Sequence, residues 1–277
     1  MIVSIASGKG GTGKTTVAVN MALSLGDVQL LDCDVEEPNC HIFLKPTVNK
    51  TEPVEITVPE IDDRLCDYCG KCAKFCRYNA LAVTQGIVMK FTELCHSCGG
   101  CMLVCPQKAI TEVPRVIGEV RHGNKDGIDF SYGILNIGEA MATPVIKKMK
   151  KSITGDKDVL IDAPPGTSCA VIESIKDSDY CLLVAEPTPF GLNDLKLAVE
   201  MLESLSIPHG VIINRDGIGD DKVLKYCEAK CIPVHLKIPH DHRIAELYSN
   251  GIPFTQQMHE YKIIFKDVFK KIKETVK

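Results

Sequence analysis

Two groups of residues in this sequence carry the means to do chemistry. The first is Gly8-Lys9-Gly10-Gly11-Thr12-Gly13-Lys14-Thr15, followed by Thr16, which fits the spacing G-x-x-x-x-G-K-[ST]. It comes directly after an apolar run at residues 2–6 and opens a helical pattern at residues 15–25. In that setting the glycines let backbone N–H groups converge on phosphate oxygens. Lys14 offers a point charge to the β and γ phosphates, and Thr15 offers its hydroxyl to Mg2+. The completeness of the motif and its placement set aside a flexible Gly-rich turn that binds nothing. Lys9 is a second lysine inside the loop. It can stand in solvent as an ordinary surface charge, or reach the γ-phosphate bound by another subunit.

The second group is cysteine. Eight of the 14 cysteines lie between Cys66 and Cys105. They form two sets, Cys66, Cys69, Cys72, Cys76 and Cys95, Cys98, Cys101, Cys105, and each member of the first recurs 29 residues later. Ala80-Leu81 maps onto Ala109-Ile110 at the same offset, which marks a duplicated unit. No apolar run approaches the roughly 18 residues that span a bilayer, and the N-terminus lacks a signal-peptide pattern. The expected location is therefore the cytoplasm, where thiols stay reduced, so metal ligation is expected in place of disulfides. A segment of this size has too few apolar residues for a core of its own, and bound metal would supply the missing stability. Net charge is only −4, with no basic excess to attract nucleic acid.

These groups need elements to position them. Apolar strand patterns at residues 2–6, 28–31, 159–161, 181–185, 211–213 and 234–238 alternate with helical stretches. A hairpin is expected at 116–120 and 128–137, with a helix near 139–151. Continuous apolar strands separated by helices predict an α/β protein with a mostly parallel, doubly wound sheet. The cysteine segment interrupts it as a small α+β insert. Pro59 and Pro114 set the expected limits: 1–58 and 113–277 as one discontinuous domain, 59–112 as the other.

The loop with its extra lysine resembles the deviant phosphate-binding loop of the MinD/ParA/Mrp ATPases and the nitrogenase iron protein. Leu31-Asp32-Cys33-Asp34 resembles their switch I. There Asp34 is implied to orient the attacking water and, with Thr15 and Asp162, to serve Mg2+. Leu160-Ile161-Asp162-Ala163-Pro164-Pro165-Gly166 resembles the segment that carries the outer-sphere Mg2+ aspartate. Asn214 and Arg215 match the strand end that reads the base, and Pro239 and Asp241 the loop that closes over adenine. A helix cap or turn is the competing role for each aspartate. The resemblance implies an ATP-hydrolysing homodimer with Lys9, Lys14 and Asp34 catalytic.

The insert resembles the bacterial ferredoxin with two [4Fe–4S] clusters, whose run is C-x2-C-x2-C-x3-C-P and whose fourth cysteine ligates the other cluster. By that crossing, Cys66, Cys69, Cys72 and Cys105 hold one cluster, and Cys95, Cys98, Cys101 and Cys76 the other. Zinc more often takes separated C-x2-C pairs than triplets. Cys105 is followed by Pro106, but Cys76 by Arg77, either a surface residue or a cation that tunes one cluster.

Of the other cysteines, Cys33, Cys40, Cys169, Cys181, Cys227 and Cys231 are expected in small-core roles. Cys227 and Cys231 are four apart, unlike the C-x-x-C of Mrp-type carriers. Residues 261–277 form an amphipathic stretch, as in the membrane helix of MinD, but a helix packed on the sheet needs the same stripe. The expected function is electron transfer through two clusters, driven by nucleotide-dependent dimer closure. The alternative is an ATPase that serves iron–sulfur or related metal-cofactor assembly for a client protein. MinD-like spatial positioning stands third.

Overall fold

The computed structural model describes residues 1–276; Lys277, the last residue of the expected terminal helix, lies outside the described residues. Strand β1 (Ile2–Ala6) runs through the phosphate-binding loop into α1 (Lys14–Leu25), followed by β2 (Val28–Asp32), α2 (Cys40–Leu44) and a long β3 (Thr47–Ile61). The cysteine segment contributes α3 (Lys71–Phe75), β4 (Leu81–Thr84), β5 (Ile87–Lys90) and α4 (Gly100–Leu103). The chain returns along β6 (Ile110–Lys125) and β7 (Ile128–Leu135). It then alternates through α5 (Thr143–Lys150), β8 (Asp158–Asp162), α6 (Cys169–Ile175), β9 (Tyr180–Ala185) and α7 (Pro189–Ser204). The last elements are β10 (His209–Asp216), α8 (Lys222–Ala229), β11 (Val234–Pro239), α9 (His242–Ser249) and α10 (Glu260–Val276).

The main sheet has the order β11-β10-β9-β1-β8-β2-β7-β6-β3. From β11 to β7 every pairing is parallel, and β6 and β3 add antiparallel strands at one edge. Strand periodicity explains why the central strands read as unbroken apolar runs. In β9, Tyr180, Leu182 and Val184 join the core that α1 and α10 cover, while Cys181, Leu183 and Ala185 join the core under α7 and α8. Both faces are dry, so neither alternate position can be polar. In α10, Tyr261, Phe265, Val268, Phe269 and Ile272 are buried, packed in the core that includes Val17 and Met21 of α1. The apolar stripe that a membrane surface would bind is thereby taken up by the core. Among the described residues, no helix is long and apolar enough to cross a membrane.

Three expectations are corrected. The helix expected near 139–151 starts only at Thr143, with Pro144 in its first turn, and residues 136–142 form a loop. The first hairpin strand is longer at both ends than expected, 110–125, and the second is shorter, 128–135. They meet at Asp126 and Gly127, whose φ values of 49° and 89° make the tight two-residue turn that suits strand twist. Pro59 and Pro114 end no strand: they lie inside β3 and β6, which pair from Thr47–Asn124 to Ile61–Ile110. A proline is tolerated where its missing N–H faces no partner. Pro59 is on the edge strand, and Pro114 lies where β6 pairs with β3 alone. Residues 62–109 thus hang from the end of a two-stranded ribbon, where Asp62 N–H donates to Ala109 O at 2.8 Å.

Close packing at one point ties the nucleotide loops to this edge. Gly133 of β7 lies against Val35 and Val145, and a β-carbon there would come within 2.5 Å and 2.7 Å of their Cγ1 atoms. Gly133→Ala should therefore lower the unfolding free energy by about 1–3 kcal/mol in a denaturant titration. A neutral result would mean that the Val35 segment yields freely.

Candidate functional site

A cavity of about 550 Å³ opens at the C-terminal ends of the parallel strands, where open α/β sheets bind ligands. Its lining includes Gly10, Gly11, Gly13, Lys14, Thr15, Thr16, Asp34, Asn214, Arg215, Pro239 and Asp241, which the sequence singles out. Glu37, Asn39 and Tyr248 also line it and were not foreseen, because no motif marks them. Four expected residues lie outside the lining. Gly8 packs against the backbone of Asp194. Thr12 is buried, its hydroxyl without a partner. Asp162 lies beneath the loop, and Lys9 turns away to Glu186 at 3.6 Å.

The loop is held from the strand side. Asn214 Nδ2 donates to Thr12 O at 2.7 Å, and Gly13, at φ 96°, passes so close that a β-carbon would sit 2.3 Å from that nitrogen. Asn214, expected to read a base, is committed by its amide nitrogen to shaping the phosphate loop. Arg215 donates to Glu186 at 2.6 Å, so the buried Glu186 bridges Arg215 and Lys9. Glu186 was missed because nothing about a glutamate after an apolar strand signals a site. Asp241 caps α9, accepting from Arg243 N–H at 2.8 Å, and the Arg243 guanidinium beside it holds its carboxyl below the usual range.

Beneath Lys14 lies an acidic cluster. The parallel register of β2 with β8 sets Asp32 beside Asp162, both buried. Asp32 organises the loop that follows it: its Oδ2 accepts the N–H groups of Asn39 and Cys40, each at 2.9 Å, and its Oδ1 that of Asp34 at 3.2 Å. Cys40 Sγ donates to Asp162 Oδ2 at 3.3 Å, so this thiol, expected as plain core, touches the site. One ligand atom each from Asp32, Cys40 and Asp162 lies within 4.8 Å of the others. Asp162 Oδ1 is buried without a partner, which suits a bound cation. Burial pushes the Asp32 and Asp162 carboxyls upward; Asp162 adds to the rise at Asp32, and Lys14 opposes the rise at Asp162. Asp34 is pushed up to about 6 by burial and by the charge of Asp162.

The cysteine segment repeats its own geometry at the 29-residue offset. Tyr68 and Ser97 take φ 56° and 54°, Gly70 and Gly99 take 74° and 66°, and Asn79 and Lys108 take 55° and 50°. Cys76 Sγ accepts Ala80 N–H at 3.4 Å, and Cys105 Sγ accepts Ala109 N–H at 3.3 Å. One cavity is lined by Cys66, Cys69, Cys72 and Cys105, the other by Cys76, Cys95, Cys98 and Cys101. Burial raises the Cys72 thiol, with Cys105 and Cys66 adding to the rise, and burial raises that of Cys95, with Cys98 and Cys76 adding. Among the described residues, no three of these sulfurs lie within 4.8 Å of one another. Four sulfurs on one tetrahedral zinc would be about 3.8 Å apart at a Zn–S distance of about 2.3 Å. The walls differ: Tyr78 stacks on His96 at 3.5 Å beside the second set, while Gln107 and Asp67, at the matching places beside the first, share a 3.1 Å hydrogen bond. Cys33, Cys181 and Cys227 are buried as expected for small core residues, but Cys169 and Cys231 are exposed.

A glycine-rich loop between strand and helix, over paired buried aspartates at the head of a parallel sheet, defines a nucleotide-binding P-loop protein. The CobQ/CobB/MinD/ParA nucleotide binding domain matches residues 3–254, and the chain belongs to that family. An uncharacterized protein of Methanocaldococcus jannaschii is 31% identical over 263 residues, covering 92% of this chain and 91% of that one. The iron-sulfur cluster carrier protein of the same organism is 27% identical over 298 residues, covering 99% of this chain and 84% of that one. The cell division ATPase MinD of Pyrococcus furiosus shares the fold, with a TM-score of 0.60 and 20% identity over 98% of each chain.

The raised Asp34 carboxyl gives nucleotide binding a pH dependence. Below about pH 6 Asp34 carries a proton, and if Asp34 serves Mg2+, as the resemblance implies, binding of the ionised form must expel it. Affinity for preformed Mg·ATP should rise from pH 5 to 7 and level off above. Calorimetry at pH 5.5 in two buffers of different ionisation enthalpy should show proton release, and Asp34→Asn should lower it. Equal release in both proteins would contradict the assignment.

Proposed function

We propose that this chain is an ATP-dependent accessory protein for the assembly of an iron–sulfur or related metal cofactor. The domain built on the main sheet binds and hydrolyses ATP, and residues 62–109, at the end of the β3–β6 ribbon, hold two [4Fe–4S] clusters as the electron source. The observation that carries this reading is the resemblance, along nearly the whole chain, to proteins named iron-sulfur cluster carriers. It moves the assembly role ahead of electron transfer as an end in itself.

The chain's own residues support a division of labour. Lys14 and the loop N–H groups take the phosphates, Thr15 and Asp34 take Mg2+ with Asp162 behind them, and Asp34 orients the attacking water. Lys9, resting on Glu186 in this conformation, is released to the γ-phosphate of a second copy when two protomers close as an ATP-dependent homodimer. Cys66, Cys69, Cys72 and Cys105 would hold one cluster, and Cys76, Cys95, Cys98 and Cys101 the other. A bound cluster at either set would supply one-electron transfer between an external one-electron carrier and the client. Resident ligation fits better than cargo, because either cluster ties both halves of the repeat together and its loss would loosen the segment. Cys227 and Cys231 lack the C-x-x-C spacing of the Mrp-type carriers, and Cys227 is buried in α8.

Removing the protein from its host should lower cofactor occupancy in client iron–sulfur or related metalloenzymes. Wild-type protein should restore it, whereas Lys14→Ala and Cys98→Ser should both fail. Full occupancy without the protein, or rescue by Cys98→Ser, would refute the reading.

A further inference from the structure

Arg115 stands where three parts of the molecule meet. It lies on β6 opposite Ile56, beyond the reach of β7, and its side chain is partly buried. Nη2 donates to the carboxylate of Glu139 at 2.7 Å and to the carbonyl of Thr92 at 3.0 Å, and Nη1 donates to the other Glu139 oxygen. The same Thr92 carbonyl accepts the N–H of Cys95 at 3.1 Å. Arg115 therefore fixes the turn that presents one ligand of the second cysteine set. Its Nε–H is buried without a partner, and the negative groups that act on it are Glu139, Glu93 and Cys95.

In the other direction the contacts lead to the nucleotide. Glu139 N–H donates to Asn136 O at 3.2 Å, Asn136 N–H to Ile117 O at 2.9 Å, and Leu135 N–H to Val35 O at 2.8 Å. Val35 follows Asp34, which lines the nucleotide cavity. Loop 136–142 and the Asp34 loop also border a common cleft through Ala142, Asp34 and Glu36.

We propose that the Arg115–Glu139 clamp is the relay between the Asp34 loop and the second cysteine set, with Arg115 the positioning residue for Cys95. The inference rests on the two-cluster reading above. A partly buried bidentate pair with this geometry favours moving as a unit, because separating it leaves each charge without its partner. A shift of the Asp34 loop is passed through β7 and Glu139 to the Thr92–Cys95 turn. Ligand orientation and hydrogen bonds to cluster sulfur set the potential of a cluster. Among the described residues the first set has no matching arginine clamp: the residue at that place in the repeat is Gly86, in the turn between β4 and β5. The duplication is broken where the nucleotide domain takes hold, so nucleotide should move one potential and leave the other.

The test is a redox titration of the full-length, cluster-loaded protein followed by EPR, with Mg·ADP and with a magnesium complex of a non-hydrolysable ATP analogue. Cys98→Ser marks the wave of the second cluster. In the wild type that wave shifts with the analogue, and the other does not. In Arg115→Gln and in Glu139→Gln the shift is lost while nucleotide affinity stays within about twofold. Arg115→Lys, with the charge but not the fork, does not restore it. A shift that persists in either Gln variant, a shift of both waves, or no shift in the wild type overturns the relay. If Arg115→Gln takes up no clusters, Glu139→Gln decides alone. Wild-type protein holding fewer than two clusters refutes the cluster reading itself, and the relay with it.

Discussion

The antiparallel ladder of β3 and β6 is the constraint on which the rest of the arrangement depends. It joins the sheet that carries the nucleotide loop to the cysteine segment, and it does so with two strands instead of a flexible tether. Its inner half buries Val54, Ile56, Val58 and Ile117 with α5, so the ribbon is anchored in the core that contains Leu31, Cys33 and Val35. The register shift at Val54 and Glu55 bends the strand where it leaves the sheet. Whatever moves Val35 works against a packed edge and not against a loose loop.

The nucleotide site stores repulsion in the opposite sense. Burying Asp32 and Asp162 side by side is unfavourable, and burial raises both carboxyls. The fold tolerates this through Lys14, through the N–H groups that Asp32 collects from its own loop, and through the Cys40 thiol. A divalent cation and a phosphate chain would relieve the same repulsion, so the loop held by Asp32 is the element most directly sensitive to occupancy. That loop continues into Val35, and Val35 into the edge that carries the ribbon.

Much of this was legible in the sequence, for identifiable reasons. The phosphate loop and the duplicated cysteines are short-range patterns whose chemistry depends on spacing. The parallel strands are apolar on both faces and so stand out from their surroundings. β3 was not legible: its period-two alternation of Val54, Ile56 and Val58 is interrupted by Pro53 and Pro59, which read as turn signals unless the strand is known to be an edge. The Lys9–Glu186–Arg215 contact, the Asp32–Cys40–Asp162 cluster and the Arg115–Glu139 clamp join residues far apart in sequence. No local pattern announces them, because the fold alone brings them together. Arg77, beside Cys76, drew attention by adjacency, yet it is Arg115 that reaches both the second set and the nucleotide domain.

If the ribbon and the clamp join the two chemistries, the linkage runs both ways with the same free energy. The most direct measurement is the affinity of the cluster-loaded protein for Mg·ATP, compared between the oxidised and the fully reduced forms under anaerobic conditions. The two dissociation constants should differ by a factor of roughly 5 to 150, the usual range for coupled sites. Identical constants in the two redox states would mean that the cysteine segment is carried by the nucleotide domain without sensing it.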